Sequence, residues 1–282
     1  MMAIYISNLK NKIVFFVILF IPGLLFSQSQ NGKVISSTTN YGVAFVNVAI
    51  TGKNIGTVSD VDGNFTINLN NTNDKDSLRF SMIGYDSKSI LIKQFKEDSV
   101  KNVYLTPRSY KLQEVKVIVY RRKIKEVELG FPVNSSILNS GFDSNVLGSE
   151  LGIFADVKGT VRLIDMHLNV ATCTYDSVTY RLNIYQSTDQ GEFKNILTEP
   201  IYISFSKNQI KDLLTFDLRK YSIQLQGEVL LTLELYRDLG EGRLLFRTLY
   251  FQEYTYHRKT KDGSWIKSSG AIGMYLHGQK FK

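Results

Sequence analysis

The sequence predicts an all-β protein made of two consecutive β-sandwich domains. Apolar residues recur at every second position in short segments along most of the chain, which is the pattern of half-buried strands. Glycine, asparagine and aspartate separate these segments at intervals of roughly ten residues, as in antiparallel sandwiches. With 282 residues, the chain is long enough for two modest domains that each have a hydrophobic core.

The N-terminal segment has the features of a secretory signal peptide. Residues 1–12 carry two lysines and no acidic residue, and an apolar run follows over residues 13–26. A membrane-spanning helix needs roughly 20 apolar residues, and Pro22 would break such a helix. We therefore predict that residues 1–27 are a signal peptide, with an uncleaved N-terminal anchor as the alternative. The protein is then exported and has no transmembrane span after cleavage.

Three alternating segments lie early in the remaining chain. Their apolar positions are Val46, Val48 and Ile50, then Phe65, Ile67 and Leu69, and then Leu78, Phe80 and Met82. The Asp62-Gly63 step between the first two segments suits a tight hairpin, because glycine adopts positive φ without steric cost. A calcium site at Asp60, Asp62 and Asn64 is the alternative, since calcium prefers oxygen ligands. The run lacks the distal glutamate of an EF-hand, so we predict a turn.

Residues 31–107 contain further motifs in a fixed order. These are Gly32-Lys33-Val34, the segments 46–52 and 56–65, and Ile83-Gly84-Tyr85 at the end of a strand. In order and spacing they resemble the carboxypeptidase-like regulatory domain, and the resemblance implies a transthyretin-like, seven-stranded β-sandwich. That family is common on exported and outer-membrane proteins of Bacteroidota-like bacteria, often in front of TonB-dependent receptors. It therefore implies a periplasmic or outer-membrane location, or display on the cell surface.

A linker is predicted over residues 108–129. Residues 112–117, Leu-Gln-Glu-Val-Lys-Val, resemble the segment that joins this domain to a receptor plug. The rest of the chain is too short for a large transmembrane barrel, which needs many strands of about ten residues each, so a transporter is excluded. The predicted linker also holds a basic cluster, for which we expect a solvated surface, with an acidic lipid or polysaccharide as the alternative partner. The cluster consists of Lys116, Arg121, Arg122, Lys123 and Lys125.

Residues 130–282 are predicted to form a second β-sandwich. The alternating positions are Ile164, Met166, Leu168 and Val170, then Val178, Tyr180, Leu182 and Ile184, and then Val229, Leu231, Leu233 and Leu235. Asp262-Gly263 marks another hairpin, just before Trp265. The segments 181–185, 216–218 and 229–234 resemble a jelly-roll module of exported proteins. This weaker resemblance implies a jelly-roll-like fold and no activity.

The sequence contains no recognisable catalytic constellation. A zinc peptidase needs three protein ligands with helix-compatible spacing, whereas His167, His257 and His277 stand in unrelated contexts. Residues 148–152, Gly-Ser-Glu-Leu-Gly, lack the Gly-x-Ser-x-Gly spacing of a serine hydrolase. We therefore predict a protein that is not an enzyme and has neither a cofactor nor a metal site.

A glycosidase is the remaining enzymatic alternative, because it requires only two carboxylates about 5–10 Å apart. Asp165, Asp217 and Glu234 lie in predicted strands and would be the candidates if the fold brought them together. The competing explanation is that these carboxylates lie on solvated faces or hold loops in place.

The segment 250–257 carries the candidate binding face. On a strand, Tyr250, Gln252, Tyr254 and Tyr256 share one face, and tyrosines beside an amide suit a sugar or a peptide. Packing in the core or against the first domain is the alternative. We predict a non-enzymatic envelope protein that acts as an interaction or scaffold module for an envelope protein partner, with a glycan-binding protein as the alternative. Nucleic acid is not an expected partner, because no basic and aromatic motif is present.

Overall fold

A computed structural model describes residues 29–108, 124–133, 138–188, 190, 192–210 and 213–281. The predicted signal peptide, residues 1–27, lies outside the described residues, as does most of the predicted linker with its 112–117 motif. Within the described ranges, no helix combines the length and the apolar character needed to cross a bilayer.

Seven strands form the first domain and build two sheets. They are β1 (Ser29–Ser36), β2 (Asn47–Ile50), β3 (Gly56–Val58), β4 (Asn64–Asn68), β5 (Ser77–Ser81), β6 (Lys88–Leu91) and β7 (Asn102–Leu105). One sheet has the order β4-β1-β7 and the other the order β3-β2-β5-β6. A short helix, α1 (Ile92–Glu97), connects β6 to β7. This arrangement confirms the predicted seven-stranded sandwich.

The alternating apolar positions of the first domain form its core. In β4, Phe65 and Ile67 are buried between exposed neighbours. The rings of Phe65, Phe80 and Phe95 pack together with centroids 5.6 to 6.3 Å apart, so α1 contributes to the same core as the two sheets. Burying each such side chain contributes about 1.5–3 kcal/mol.

The carboxylate of Asp60 organises the turn before β4. It accepts hydrogen bonds from the backbone N–H groups of Asp62 and Asn64 at 2.9 and 2.8 Å. Gly63 has a φ of 82°, and a Cβ atom at this position would lie 2.4 Å from the carbonyl oxygen of Val34. The predicted turn is confirmed. The carboxylate of Asp60 stabilises it by accepting hydrogen bonds from the backbone of the turn.

Twelve strands form a continuous hydrogen-bonded sheet in the second domain. They are β8 (Ile124–Gly130), β9 (Leu138–Phe142), β10 (Glu150–Leu168), β11 (Val170–Cys173), β12 (Ser177–Ser187), β13 (Phe193–Asn195), β14 (Ile201–Ser206), β15 (Leu214–Asp217), β16 (Gln224–Glu234), β17 (Leu244–Arg258), β18 (Ile266–Ile272) and β19 (Met274–Phe281). The predicted strand positions Leu168, Leu182 and Leu233 are fully buried. The apolar side chains of the domain belong to one core cluster, so the sheet folds over on itself to bury them. The all-β prediction is confirmed.

The longest strand, β10, changes partners along its length. Its first half pairs with β16 and β17, and its second half pairs with β15 and β19. The pairing with β16 is interrupted between Val157 and Val161, around Gly159, whose φ is 77°. Because a β-bulge bends the strand that contains it, β10 passes from one layer of the domain to the other.

Strand β8 lies in the segment that the sequence assigned to the linker 108–129. It pairs with β19 from Ile124 to Gly130, so the sheet of the second domain begins before residue 130. Most side chains of β8 are exposed or half-buried, because the strand pairs on one side only in the described structure. This edge position explains why no alternating buried face marks β8 in the sequence. Lys125 belongs to this strand, while the other members of the predicted basic cluster lie outside the described residues.

Candidate functional site

A row of four charged side chains crosses four neighbouring strands of the second domain. In register, Arg181 on β12 is beside Glu234 on β16, Glu234 is beside Glu150 on β10, and Glu150 is beside Arg258 on β17. All four side chains are buried, with exposed fractions between 0 and 9%. We call these residues the ionic row. A row of this kind is unusual, because charged residues are almost never fully buried unless they are paired.

Each carboxylate of the ionic row is held by one guanidinium group. Arg181 donates to Glu234 through Nε at 3.1 Å and through Nη2 at 2.5 Å. Arg258 donates to Glu150 through Nε at 3.0 Å and through Nη2 at 2.5 Å. Lys261 lies over both carboxylates, with Nζ 3.4 Å from Glu150 and 3.8 Å from Glu234. Three cations therefore face two carboxylates, which leaves one positive charge in excess.

Neutral side chains complete the hydrogen bonding of the two carboxylates. Asn183 donates from Nδ2 to Glu234 at 2.6 Å and to Glu150 at 3.2 Å. The hydroxyl groups of Tyr185 and Thr232 donate to Glu150 at 2.8 and 2.6 Å. Every carboxylate oxygen of the ionic row thus accepts at least one hydrogen bond from a neighbouring side chain.

The charges in this cluster fix the ionisation of Glu234. Burial alone would raise the pKa of Glu234, but the charges of Arg181 and Lys261 outweigh it and lower the pKa to about 2. Burial lowers the pKa of Lys261, against the opposing effect of the two carboxylates. Burial also raises the pKa of Tyr185 well above its usual value. Glu234 therefore stays ionised at neutral pH and is a poor proton donor.

The first domain covers the ionic row at Arg181. Nη1 of Arg181 donates to the carbonyl oxygen of Phe45 at 2.7 Å and lies 3.1 Å from the sulfur of Met82. The φ of Phe45 is 58°, which is rare for a bulky residue and costs on the order of 1–3 kcal/mol. Its ring packs edge-on against Tyr236 and Tyr202, with centroids 4.8 and 6.4 Å apart. Contacts with the second domain therefore hold Phe45 in this conformation.

The loop between β17 and β18 makes a second contact between the domains. The carbonyl oxygen of Asp262 accepts from the backbone N–H of Gly52 at 3.0 Å, and its carboxylate lies 3.3 Å from Nη1 of Arg79. The hydroxyl group of Thr260 donates to the carbonyl oxygen of Lys53 at 3.0 Å. The predicted hairpin at Asp262-Gly263 is confirmed, and its tip joins the two domains.

A cleft of about 460 Å³ remains between the domains, next to the ionic row. The first domain contributes residues 83–85, which are the Ile-Gly-Tyr motif, and the second domain contributes Asn183, Tyr185 and Lys261. Small-molecule sites typically have volumes of about 300–1,000 Å³, so the cleft has room for a small ligand.

The tyrosines of the predicted binding face lie at the surface of the second domain. Tyr250 is 48% exposed, Tyr254 is 38% exposed, and Tyr256 is half-buried. The side chain of Gln252 lies outside the described residues. The pairing of β17 with β18 breaks off after Leu249 and resumes at Tyr254, so the predicted face is not continuous.

Tyr254 and Tyr256 instead form a surface with residues from two neighbouring strands. Nζ of Lys267 lies 3.6 Å from the ring centroid of Tyr254 and 5.9 Å from that of Tyr256. The ring of Phe154 lies 6.1 Å from the ring of Tyr256. We call these four residues the aromatic patch. Alternation along β17 places the patch on the same face of the sheet as Arg258 of the ionic row.

The three carboxylates considered for glycoside hydrolysis do not form one site. Asp165 and Asp217 are register partners on β10 and β15. Asp165 lies 2.6 Å from Nε2 of His167. Glu234 belongs to the ionic row, where its neighbour is Glu150. In the part of the chain that the structure describes, no group of three or more His, Cys, Asp or Glu side chains is placed to hold a metal ion.

The sequence interpretation did not identify the ionic row. One local signal was available in β12, where Arg181 and Asn183 interrupt an otherwise apolar and aromatic segment. Eight consecutive positions of this strand are buried, so both of its faces are covered. Alternation of Val178, Tyr180, Leu182 and Ile184 predicts one buried face and gives no sign that the opposite face is covered.

Comparison with known proteins identifies the first domain. Residues 30–117 match the family model of the CarboxypepD_reg-like domain. A search of curated proteins finds no match to the sequence. Among solved structures, the chain is similar to the VP2 subviral particle of infectious bursal disease virus, with 11% identity and a TM-score of 0.18, over 90% of this chain and 64% of that chain. It is also similar to the T13 particle of the same virus, with 10% identity and a TM-score of 0.16, over 93% of this chain and 61% of that chain.

The chain spans less than two thirds of the length of these viral chains, and scores this low do not establish a common fold. The family match covers all seven strands of the first sandwich. The first domain of this chain is therefore a carboxypeptidase regulatory-like domain, which is a non-catalytic kind of module.

Proposed function

We propose that the protein is a non-enzymatic, exported envelope protein that acts as an interaction or scaffold module. The ionic row carries this proposal, because it joins the two domains into one unit without offering a catalytic group. A general acid or base needs a pKa near the working pH, whereas Glu234 stays ionised. Glu150 is saturated by donors from Arg258, Tyr185 and Thr232.

Export is supported by the N-terminal sequence. The basic start and the apolar run before residue 27 are the pattern of a signal peptide. The carboxypeptidase regulatory-like domain supports a periplasmic or outer-membrane location, because such domains are common on exported and outer-membrane proteins. Two domains in a fixed mutual orientation would present a constant surface to a partner in that compartment.

The aromatic patch is the surface that we propose for the partner. Tyrosine beside a cationic side chain is a common composition of interface hot spots, because the rings bury a large area and lose little conformational entropy. Tyr254 is exposed, and Lys267 lies directly over its ring. The patch is on the sheet of the second domain, so it is available while the first domain covers the ionic row.

Crosslinking in the native envelope tests this function. The tagged mature chain would be compared with the double variant Tyr254→Ala/Tyr256→Ala and with the control variant Tyr41→Ala, which removes a ring that is 78% exposed on the first domain. We expect a stoichiometric envelope protein to be recovered with the wild type and the control and lost with the double variant. Recovery that is equal for all three would contradict the patch as the docking surface.

A glycan-binding protein is the second candidate function. The observation that favours it is the pair of tyrosine rings on one strand face, with Nζ of Lys267 3.6 Å from the centroid of Tyr254 and 5.9 Å from that of Tyr256. Sugar rings stack on aromatic faces, and their hydroxyls bond to polar neighbours. Retention on immobilised glycans should be lost in Tyr254→Ala/Tyr256→Ala and kept in Tyr41→Ala. Unchanged retention in the double variant would show that Tyr254 and Tyr256 do not form a glycan-binding surface.

A further inference from the structure

We propose that the cleft between the two domains binds a small anion, namely a molecule that carries a phosphate or carboxylate group. This site is separate from the aromatic patch, and it does not depend on the proposed docking function. Both domains contribute cationic side chains to its walls, so the site exists only when the domains are joined.

The walls of the cleft carry an excess of positive charge. Among the described residues that line it, six are arginine or lysine and two are acidic. The cations are Arg79, Arg108, Arg181, Lys194, Arg258 and Lys261, and the acidic residues are Glu192 and Asp262. A cleft lined mainly by charges of one sign focuses the electric field and concentrates ligands of the opposite sign. The walls therefore favour an anion over a neutral or a cationic ligand.

The ionic row supplies part of this positive charge from behind the cleft wall. Arg181 and Arg258 are buried and hold Glu234 and Glu150, so their guanidinium groups are already engaged. Lys261 is the third cation over these two carboxylates, and its side chain is 14% exposed. Burial lowers the pKa of Lys261, because the two carboxylates only partly offset the loss of water around its ammonium group. An anion in the cleft would supply the negative charge that this cluster lacks.

Two accessible arginines of the first domain are the groups that would contact the ligand. The side chain of Arg79 is 42% exposed and that of Arg108 is 47% exposed, and both residues line the cleft. Nη1 of Arg79 lies 3.3 Å from the carboxylate of Asp262, and Nη2 lies 3.3 Å from Oγ of Ser87. A guanidinium group has five N–H donors, so these two long contacts leave donors of Arg79 for an oxyanion. Arginine also matches the planar geometry of carboxylate and phosphate oxygens.

The remaining walls of the cleft suit the carbon skeleton of an organic anion. Ile83 and Tyr85 of the first domain and Phe193 of the second line it with apolar surface. Binding sites for small molecules are mainly apolar and use a few polar groups to orient the ligand. The volume of about 460 Å³ lies within the range of such sites, so the cleft accepts an organic molecule as well as a bare ion.

Titration of the two-domain protein with matched charged and neutral molecules tests the site. Isothermal titration would use inorganic phosphate, glucose 6-phosphate and glucuronate as anions, and glucose and glucosamine as the neutral and cationic analogues. We expect saturable one-to-one binding of at least one anion, at least tenfold tighter than the binding of glucose or glucosamine. The anion that binds most tightly identifies the preferred oxyanion. Absence of binding by all three anions, or equal or tighter binding of glucose or glucosamine, would overturn the proposal.

Substitution of the accessible arginines locates the bound anion. Arg79→Gln and Arg108→Gln should each weaken the affinity about tenfold, because each removes one charge-assisted contact with the ligand. Arg219→Gln is the matched control and should leave the affinity unchanged. Like Arg108, Arg219 is an exposed arginine paired with an aspartate, but it lies outside the cleft. Unchanged affinity in both cleft variants would place the anion elsewhere and overturn the proposal.

The two arginines also separate a binding role from a structural one. Arg79 contacts Asp262 of the second domain, so Arg79→Gln weakens a contact between the domains as well. Arg108 pairs with Asp86 of its own domain at 2.9 Å. Arg108→Gln should therefore unfold at the temperature of the wild type without ligand and gain less stability when the anion is added. A loss of affinity in Arg79→Gln that is absent from Arg108→Gln would show that only the domain contact matters, and would overturn the proposal.

The same titrations distinguish the cleft from the aromatic patch, which has a cation of its own in Lys267. Tyr254→Ala/Tyr256→Ala should leave binding of the anion unchanged. Anion binding that disappears in this double variant and persists in Arg108→Gln would place the site on the patch and overturn the proposal for the cleft. Loss of envelope partners in the double variant with intact anion binding would support both assignments independently.

Discussion

The guanidinium group of Arg181 donates a hydrogen bond of 2.7 Å to the backbone carbonyl of Phe45, and this bond crosses from the second domain to the first. The other two nitrogens of the same group hold the carboxylate of Glu234. The contact between the domains therefore depends on a buried ion pair within one of them. A substitution at either residue should therefore lower the stability of both domains.

Arg181→Met should destabilise the protein strongly. The substitution removes the main cation that faces Glu234 and leaves a buried carboxylate, with Asn183 and Lys261 as its nearest partners. Removing one partner of a buried ion pair costs about 3–5 kcal/mol. Unfolding in urea, followed by tryptophan fluorescence and by circular dichroism, measures this loss.

Two further variants make the Arg181 prediction specific. The double variant Arg181→Met/Glu234→Leu should be more stable than Arg181→Met alone, because it removes the buried carboxylate together with the guanidinium group that neutralises it. Arg219→Met removes an arginine whose ion pair with Asp217 is exposed, and it should change stability little. Similar losses in Arg181→Met and Arg219→Met would show that the ionic row does not stabilise the fold.

Phe45→Ala should destabilise the protein more than Phe45→Gly. Both substitutions remove the ring that packs against Tyr202 and Tyr236. Only glycine adopts the φ of 58° without steric strain, which is worth about 1 kcal/mol or more relative to alanine. At ordinary strand positions the order is reversed, because glycine loses more backbone entropy. Thermal unfolding of the two variants checks the order, and a more stable alanine variant would contradict the strained conformation.

The sequence was sufficient to predict the parts of the fold that depend on local patterns. Phe65 and Ile67 alternate with polar residues, and β4 buries these two positions. Asp60 and Gly63 predicted a turn because the side chain and the positive φ act within a few residues. Alternation predicted that Tyr254 and Tyr256 share one face of their strand, but it could not indicate the break in pairing before Tyr254.

The ionic row could not be predicted, because it depends on strand register. Its four residues come from four strands, and Glu150 and Arg258 are more than one hundred positions apart. A shift of one residue in any pairing would place the side chain on the opposite face of the sheet. Alternation identifies a polar face but does not indicate whether another domain covers it, so the burial of Arg181 could not be predicted.

Stability should fall between about pH 4.5 and pH 2 as Glu234 is protonated. Burial opposes ionisation of Glu234, but Arg181 and Lys261 lower its pKa from 4.5 to about 2 in the folded protein. The unfolded chain then binds more protons in this window, so the free energy of unfolding decreases as the pH falls. The contribution is fully present above pH 4.5. Urea midpoints measured from pH 6 to pH 2 test this dependence.

The variant without the buried pair is the control for the pH dependence. Arg181→Met/Glu234→Leu lacks this carboxylate, so its stability should fall less steeply between pH 4.5 and pH 2. Exposed carboxylates such as Asp217 titrate in both proteins and cancel in the difference. An identical pH dependence would show that Glu234 is not held ionised by its neighbours.

Gly63→Ala should destabilise the first domain more than Gly52→Ala. Both glycines have positive φ, 82° and 74°, so alanine is strained at either position by about 1–2 kcal/mol. At Gly63 a Cβ atom would also lie 2.4 Å from the carbonyl oxygen of Val34 and 2.9 Å from the backbone nitrogen of Val43, whereas nothing lies within 4 Å at Gly52. The turn would have to move away from β1 to make room. Urea unfolding of both variants measures the difference, and equal losses would mean that the turn does not pack tightly on β1.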